Sequence, residues 1–275
     1  MRRFSRSARG TAASVGAAAA TVLLAAGAPG AVPAPAPPPP VSRPAGPGTV
    51  DWSGRVVQVL GVAAPYVKSP TVVFAPEAPD EVARADAARK MLAAVTSLRT
   101  RGAGTVADLA HGDEELLSRL DALAHTFEVG PVRRFSDGGL ELAARLSLDA
   151  IAAEVGAPAP APLAPGGPAL IVDATLVRDF VPSMLPSLAS ATGVLLADGG
   201  ATGGWRYAAT AAAARALLGA PKAPVVRASA VRPDNQTALV LPAGEAARLD
   251  LLAGAADALR AGRVAILVGK PPAKK

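Results

Sequence analysis

Residues 137–148, DGGLELAARLSL, alternate between apolar and polar side chains. From Leu140 onward, an apolar residue at every second position places one face of a strand against a core, while most residues between face water. Asp137-Gly138 is a typical hairpin turn, so this strand pairs with an earlier one over 127–135. Antiparallel pairing with one wet face favours an α+β fold with mixed sheets over a regular alternation of strands and helices.

The segment before this hairpin combines a strand with amphipathic helices. Valine and leucine over 56–60 predict a strand. Apolar residues three and four positions apart over 80–98 predict a helix with Asp80 as its N-cap. Asp113 caps a second helix. The buried side of that helix is predicted to contain Leu116, Leu117, Leu120 and Leu123. Residues 49–156 therefore form a first small subdomain with the order β-α-α-β-β.

A proline and glycine cluster at 157–168, APAPAPLAPGGP, is the predicted linker to a second α+β subdomain over 169–270. Two almost wholly apolar runs, 169–172 and 264–268, predict central strands that are covered on both faces. Residues 271–275 form a tail. Between the two runs we predict a strand pair over 184–196, a helix near 207–218, strands over 225–231 and 237–241, and a final helix over 243–260.

The N-terminus has the order of a secretory signal peptide. Arginines at positions 2, 3, 6 and 9 precede the apolar stretch 11–27, TAASVGAAAATVLLAAG. We assign residues 1–28 to the signal and predict export to the periplasm or the exterior. The alternative is retention of the segment as a tether in the inner membrane. Arg2-Arg3 raises twin-arginine export as one route. No other segment is apolar enough for an integral membrane domain.

Residues 29–48 are rich in proline, which fixes φ and removes backbone donors. This composition predicts a disordered, extended linker. It is either a spacer that holds the domain away from the membrane or a composition-biased N-terminus without that role.

The formal net charge of +6 is concentrated at the N-terminus. Without the first four arginines, 24 basic residues face 22 acidic ones. Because no basic run interleaved with aromatic residues remains, the pattern expected for nucleic-acid binding is missing and we predict no nucleic-acid partner.

Residues that could carry catalysis or bind a metal are few. There is no cysteine, and His111 and His125 are not spaced as a metal-binding pair. We expect His125 to end a helix and His111 to be solvated. Asp173 and Asp198 end predicted strands, where α/β enzymes often hold carboxylates, but no partner base is visible. We therefore assign no catalytic, metal or cofactor residues and expect no enzyme.

Two glycine-containing segments fail the phosphate-loop pattern. The run 198–204 is followed by Trp205 and Arg206 instead of lysine and a hydroxyl residue, so it is interpreted as a loop. Gly269-Lys270 precedes two prolines, which prevent the required helix. The aromatic residues are interpreted as core or interface anchors. Those considered are Trp52, Tyr66, Trp205 and Tyr207.

Several stretches resemble a family of small bacterial envelope lipoproteins that includes accessory proteins of the flagellar outer-membrane ring. They are EVARADAARKMLAAVTSL at 81–98, PALIVDATLVRDFVPSMLPSL at 168–188, GVLLAD at 193–198, APVVRASAV at 223–231 and GRVAILVGK at 262–270. The resemblance implies an α+β envelope module with no catalytic residue to carry over. Family members are often lipidated, and the lack of cysteine here departs from that pattern and puts an outer-membrane anchor in doubt.

We therefore predict an exported, non-enzymatic structural or interaction protein of the bacterial cell envelope, with an envelope or flagellar-type assembly accessory as its narrower form. The partner is an envelope protein or a second copy, bound through a sheet edge or an apolar patch. The alternative is an exported enzyme or small-ligand-binding protein. Its site in the second subdomain would be a pocket that gathers Asp173, Asp198 or Arg206.

Overall fold

The computed structural model describes residues 39–65, 78–102, 104–157, 166–202 and 205–269. They belong to one compact unit, Pro38–Lys275. The fold is α+β, as predicted, and the described residues form three sheets. The predicted signal peptide and tail lie outside the described residues, as do residues 29–38 of the predicted linker.

The first sheet is antiparallel and has the strand order β1-β2-β3-β5-β4. Its strands are β1 (Ser42–Ala45), β2 (Gly48–Asp51), β3 (Val56–Ala63), β4 (Glu128–Arg134) and β5 (Leu140–Ser147). The predicted hairpin is confirmed: β5 pairs with β4, and Gly138 in the turn has φ +90°. The inward positions of β5 are buried and the residues between them are partly or fully exposed, which confirms the predicted alternation.

The linker predicted over 29–48 ends earlier than expected. Ser42–Ala45 pairs with Gly48–Asp51, although the segment contains Pro44. Proline is tolerated because β1 is an edge strand, where a missing N–H leaves no ladder bond unmade. The backbone N–H of Trp52 donates to the carbonyl of Val41 (2.9 Å), and Val41 is buried. Strand pairing and packing thus give regular structure to the end of a stretch whose composition predicts a linker.

Helix α1 (Pro79–Thr96) covers one face of this sheet. A Cβ at Gly61 would collide with the carbonyl of Ala83, so glycine permits the close approach of α1 to β3. Asp86 accepts a hydrogen bond from the N–H of Val62 (2.9 Å). Lys90 donates to the carbonyl of Leu60 (2.9 Å). These side chains satisfy backbone groups of β3 beyond the end of its pairing with β2.

The start of α1 differs from the prediction. Its N-cap is Ala78 and Pro79 occupies the first turn, so Asp80 is not the cap. Asp80 lies inside the first turn, where its charge favours the helix dipole, and it pairs with Arg134 (2.9 Å). The cap predicted for the next long helix is correct, and Leu116 and Leu120 are buried as predicted, but Leu117 is exposed and Leu123 is only partly buried. Asp113 caps α3 (Glu114–Ala124) by accepting from the N–H of Leu116 (2.9 Å).

Two short helices of this region were not predicted. Helix α2 (Val106–Ala110) is started by a capping box between Thr105 and Asp108. Helix α4 (Leu148–Glu154) starts where the strand was expected to continue, because Ser147 caps it and Leu148 donates its N–H to the carbonyl of Arg55 (2.9 Å). Both helices are too short to display a recognisable apolar period.

The second sheet is wholly parallel and has the order β10-β6-β13-β9. Its strands are β6 (Leu170–Ala174), β9 (Arg206–Ala208), β10 (Val225–Arg227) and β13 (Val264–Val268). The prediction of two central strands covered on both faces is confirmed. Leu170 and Ile266 face the main core, while Ile171 and Ala265 face helix α5 (Ala211–Leu218). The helix predicted near 207–218 thus begins later, since Tyr207 belongs to β9.

The third sheet is mixed and has the order β11-β12-β7-β8. Its strands are β7 (Ser187–Ser190), β8 (Leu195–Asp198), β11 (Ala230–Arg232) and β12 (Asn235–Leu241). The predicted strand over 225–231 is two strands in two different sheets. The N–H of Ala228 donates to the carbonyl of Asp173, and that of Ser229 donates to the carbonyl of Val240 (2.9 Å each). The chain therefore leaves the parallel sheet and enters the mixed one within two residues.

The helix predicted over 243–260 is broken into α6 (Ala243–Leu251) and α7 (Ala255–Arg260). Helix α6 ends at the extended residue Leu252, and Gly254, with φ +77°, is the N-cap of α7. The leucines of this stretch therefore do not share the face of one continuous helix.

The residues on both sides of the predicted linker share one core cluster. Trp52 and Tyr207 contact each other edge to face, with ring centroids 5.5 Å apart, and Phe180 lies 6.3 Å from Tyr207. The first sheet contains only residues before the linker and the other two only residues after it. The division into two subdomains stays a prediction. Of the linker itself, residues 158–165 lie outside the described residues.

Candidate functional site

The two aspartates considered for catalysis each serve a local turn. Asp173 accepts hydrogen bonds from the N–H (3.0 Å) and hydroxyl (2.7 Å) of Thr175. Asp198 accepts from the N–H of Gly200 (2.8 Å) and pairs with Arg101 (2.5 Å). Neither aspartate lines any of the cavities discussed below. Their carboxylates are thus engaged in holding the backbone at two strand ends.

Arg206 lies beside the partly buried ion pair of Arg55 and Asp149 and lines none of those cavities either. Burial and the positive charge of Arg55 lower the pKa of Arg206, and Asp149 partly offsets this. Arg55 is buried, has φ +54°, donates from Nε to Asp149 (2.6 Å) and from Nη1 to the carbonyl of Trp205 (3.3 Å). This arrangement ties the turn before β3 to α4 and to the parallel sheet.

The histidines lie at helix ends. His125 is exposed and is the C-cap of α3, in agreement with the prediction. His111 is the exposed C-cap of α2. Within the described ranges, no group of three or more histidine, aspartate or glutamate side chains is arranged to hold a metal ion.

The remaining candidate residues from the sequence lie in a turn, after a strand or in the core, or fall outside the described residues. Gly199–Ala201 is a single 3₁₀ turn capped by Asp198, and residues 203–204 lie outside the described residues. Gly269 follows β13, while Lys270 is not among the described residues. Three of the four aromatic residues are buried, as expected for core anchors: Trp52, Trp205 and Tyr207. Tyr66 lies outside the described residues.

A cleft with apolar walls lies between β8 and helices α6 and α7, and we call it the leucine groove. Its volume is about 600 Å³. Leu251 at the end of α6 is 86% exposed, while Leu249, two residues earlier, is buried and anchors the helix. The apolar side chains of the leucine groove are those of Leu196, Leu249, Leu251, Leu252 and Leu259. The rim carries Asp250 and the ion pair between Asp257 and Arg260 (2.6 Å).

The hairpin next to the leucine groove adds to this apolar surface. Val194 is 60% exposed and Leu195 is 56% exposed, and both lie at the start of the edge strand β8. A bulge at Leu196 interrupts the pairing of β8 with β7. Apolar side chains that remain in water at a sheet edge are typical of surfaces that bind another protein.

Strand β4, at an edge of the first sheet, is protected against pairing. Strand β4 contains Pro131 and a register shift between Val129 and Val132. Arg133 and Arg134 follow on the same strand and pair with Glu141 and Asp80. Proline, bulges and charges are the features by which edge strands avoid joining other sheets. Both strands have a bulge, but the residues exposed on β8 are apolar whereas β4 carries paired arginines, so the leucine groove is a better candidate for a contact surface than β4.

Sequence reasoning missed the leucine groove because it treated 243–260 as one helix. Gly254 was the available signal, since glycine inside a helical pattern costs about 1 kcal/mol relative to alanine. The second wall, Leu196, is more than fifty positions away in the chain. Only the folded structure brings β8 against these helices.

The fold is thus an α+β protein with an apolar cleft beside its mixed sheet. Comparison of the chain with protein-family models and with curated proteins finds no match. Among the described residues, no helix is both long enough and apolar enough to cross a membrane.

Proposed function

We propose that this chain is an exported, non-enzymatic structural or interaction protein of the bacterial cell envelope. In its narrower form it is an envelope or flagellar-type assembly accessory, exported by a signal peptide at residues 1–28, with retention of that segment as an inner-membrane tether as the alternative. The leucine groove is the contact surface. Its occupant is an apolar segment of an envelope protein.

The observation that carries this proposal is the exposure of Leu251. An aliphatic side chain that is 86% exposed gains about 1.5–3 kcal/mol when a partner buries it. Leu196 and Leu252 already form apolar walls around it, so a partner side chain would enter a partly desolvated cleft. Such a central apolar contact with a charged rim is the usual anatomy of a protein interface.

The basic and apolar order of the N-terminal sequence supports export. The alternative of an exported enzyme that uses Asp173 or Asp198 has less support, because each carboxylate already accepts hydrogen bonds from its own turn.

Export is tested by fractionating cells that produce the native protein and measuring its intact mass. A mature chain that begins between about residues 26 and 34 and is recovered outside the cytoplasm supports the proposal. A full-length chain recovered from the cytosol contradicts it.

The contact surface is tested by crosslinking in the same cells with Leu251→Glu. Leu176→Glu is the matched control, since Leu176 is 88% exposed but does not line the leucine groove. We expect Leu251→Glu to reduce the recovery of defined envelope partners about tenfold while Leu176→Glu leaves it unchanged. Equal recovery from both variants would show that the leucine groove is not the contact surface.

A further inference from the structure

A second, separate cavity of about 520 Å³ opens at the carboxyl ends of β9 and β13. Its walls are Val268 and Gly269 after β13, Thr210 after β9, and the chain from Pro39 to Arg43. The carboxyl ends of parallel strands are where open sheets of this kind bind their ligands. The volume also lies within the range of about 300–1,000 Å³ that is usual for small-molecule sites.

The charged side chain on the walls of this cavity is Arg43. Its Nη2 donates to the carbonyl of Gly269 (3.0 Å) and its Nη1 donates to the carbonyl of Ser42 (3.1 Å). These bonds fix the guanidinium at the cavity wall without neutralising it. Among the ion pairs formed by the described residues, none involves Arg43. Among the described residues that line this cavity, none is an aspartate or a glutamate.

Arg43 is partly desolvated. Burial lowers the pKa of Arg43, and no carboxylate counteracts this effect. A cation removed from water without an opposite charge costs free energy that an anion would restore. A guanidinium has five N–H donors in a planar fork that matches an oxyanion. Two carbonyls engage Nη1 and Nη2, so further donors remain for a ligand.

A smaller cavity of about 220 Å³ lies on another side of Arg43 and has the same electrostatic character. Its other charged wall residue is Arg99, and its apolar walls include Trp52 and Phe180. Among the described residues, the charged side chains that line the two cavities are arginines. Thr210 caps α5 at the larger cavity, and the first turn of that helix adds a fractional positive charge to the full charge of Arg43.

We propose that the cavity at the carboxyl ends of β9 and β13 binds a small organic anion through Arg43. The oxyanion head group, a phosphate or a carboxylate, receives hydrogen bonds from the guanidinium. A short aliphatic body packs against Val41, Pro40 and Val268. This binding site is independent of the leucine groove and does not require the protein to be an envelope component.

The test is calorimetric titration of the full chain with four probes. Hexyl phosphate and hexanoate carry the two head groups on the same body, hexanol lacks the charge, and inorganic phosphate lacks the body. We expect saturable binding of at least one of the two charged amphiphiles, and binding about tenfold or more weaker for hexanol and for inorganic phosphate. Which head group binds more tightly identifies the ligand class.

Arg43→Gln should weaken binding of the preferred anion about tenfold or more, because the charged hydrogen bonds are lost. Arg227→Gln is the matched control, since Arg227 is an exposed arginine at the end of β10 in the same sheet and lines neither cavity. Arg43→Lys keeps the positive charge but not the planar fork of donors. Its affinity for the anion should therefore lie between those of Arg43→Gln and the unaltered chain. Circular dichroism confirms that the variants are folded.

Three results would overturn the proposal. One is the absence of saturable binding of both charged amphiphiles to the unaltered chain. Another is equal affinity for hexanol, which would mean that the charge of Arg43 is irrelevant. The third is an Arg43→Gln variant that binds as tightly as Arg227→Gln. The comparison among probes needs no variant, so it remains decisive even if Arg43→Gln does not fold.

Discussion

The antiparallel sheet of the first half and the parallel sheet of the second half are buried in different ways. In β5 the inward residues are buried and those between them are partly or fully exposed, because α1 covers only one face. In β13 all five residues are buried, because α5 covers one face and the main core covers the other. The number of covered faces therefore explains why one strand alternates and the other is continuously apolar.

The helices that cover the two sheets are also attached differently. Helix α1 uses Asp86 and Lys90 to bind the backbone of β3 in addition to its apolar contacts. Helix α5 packs on the parallel sheet through Ala213, Ala214 and Leu218. Small side chains let a helix approach a sheet closely, so an alanine-rich chain can bury two faces with few large residues.

The largest expected difference between the sheets comes from a charge placed on each. Leu170 of β6 is fully buried, and Leu60 of β3 is 45% exposed. Leu170→Asp should lower the free energy of unfolding by about 4 kcal/mol or more, because a carboxylate is forced into an apolar core. Leu60→Asp should cost about 1 kcal/mol, since its carboxylate stays in water. Urea unfolding followed by tryptophan fluorescence measures the free energy of unfolding of both variants. Similar decreases would contradict the assignment of Leu60 to a solvent-exposed face of the first sheet.

A buried hydrogen-bonded contact within the second half is the next test. The hydroxyl of Tyr207 donates to the carbonyl of Ser183 (2.8 Å) and accepts from its N–H (3.1 Å). Tyr207→Phe leaves both buried backbone groups unpaired and should cost about 2 kcal/mol. Ser183→Ala is the control, because its buried hydroxyl has no hydrogen-bond partner in the structure. Thermal unfolding should show a clear loss of stability for Tyr207→Phe and little change for Ser183→Ala.

The segment between α6 and α7 in the second half contains a glycine in a left-handed conformation. Gly254 has φ +77°, and a Cβ there would lie 2.9 Å from the Cβ of Pro168. Gly254→Ala should therefore destabilise the protein by about 1–2 kcal/mol. Gly244, inside α6, has open space around it, so Gly244→Ala should stabilise by about 0.5 kcal/mol. In chemical unfolding, the two variants should change the free energy of unfolding with opposite signs. A stabilising Gly254→Ala would argue for one continuous helix.

The polar attachment of α1 should appear as a pH dependence. Burial favours a raised pKa for Asp86, but hydrogen bonds from Lys90, the N–H of Val62 and Arg89 outweigh it and hold the pKa below its usual value. A depressed folded-state pKa contributes stability that is present above about pH 4 and is lost as the pH falls through the folded value.

Asp86→Asn should accordingly cost about 1 kcal/mol at neutral pH, and its difference from the unaltered chain should shrink below pH 4. Unfolding curves recorded from pH 7 down to pH 2 measure this difference. Asp137→Asn is a suitable control, because Asp137 lies in the β4–β5 turn and its carboxylate oxygen accepts from the N–H of Gly139 (2.9 Å) without an ion pair among the described residues. A constant difference across that pH range would contradict the role given to Asp86.

Much of the fold follows from short patterns along the chain. The alternation that begins at Leu140, the apolar run 264–268 and the cap at Asp113 each predicted an element that the structure contains. These predictions succeed because the physical cause is local: the number of covered faces, or a side chain that accepts from the helix start. The surface and cavity with a proposed role were not predicted, because their walls come from distant parts of the chain.

Strand β1 and the leucine groove show what requires the folded chain. Residues 42–45 have no strand pattern, and they pair only because β2 lies beside them and Val41 and Ala45 are buried. Leu251 is one of several leucines in the sequence, and its exposure depends on the turn at Gly254 and on the position of β8. Secondary structure and the α+β class are encoded in local periodicity, whereas a cleft, a charge without a counter-charge or an exposed leucine exists only once distant segments pack together.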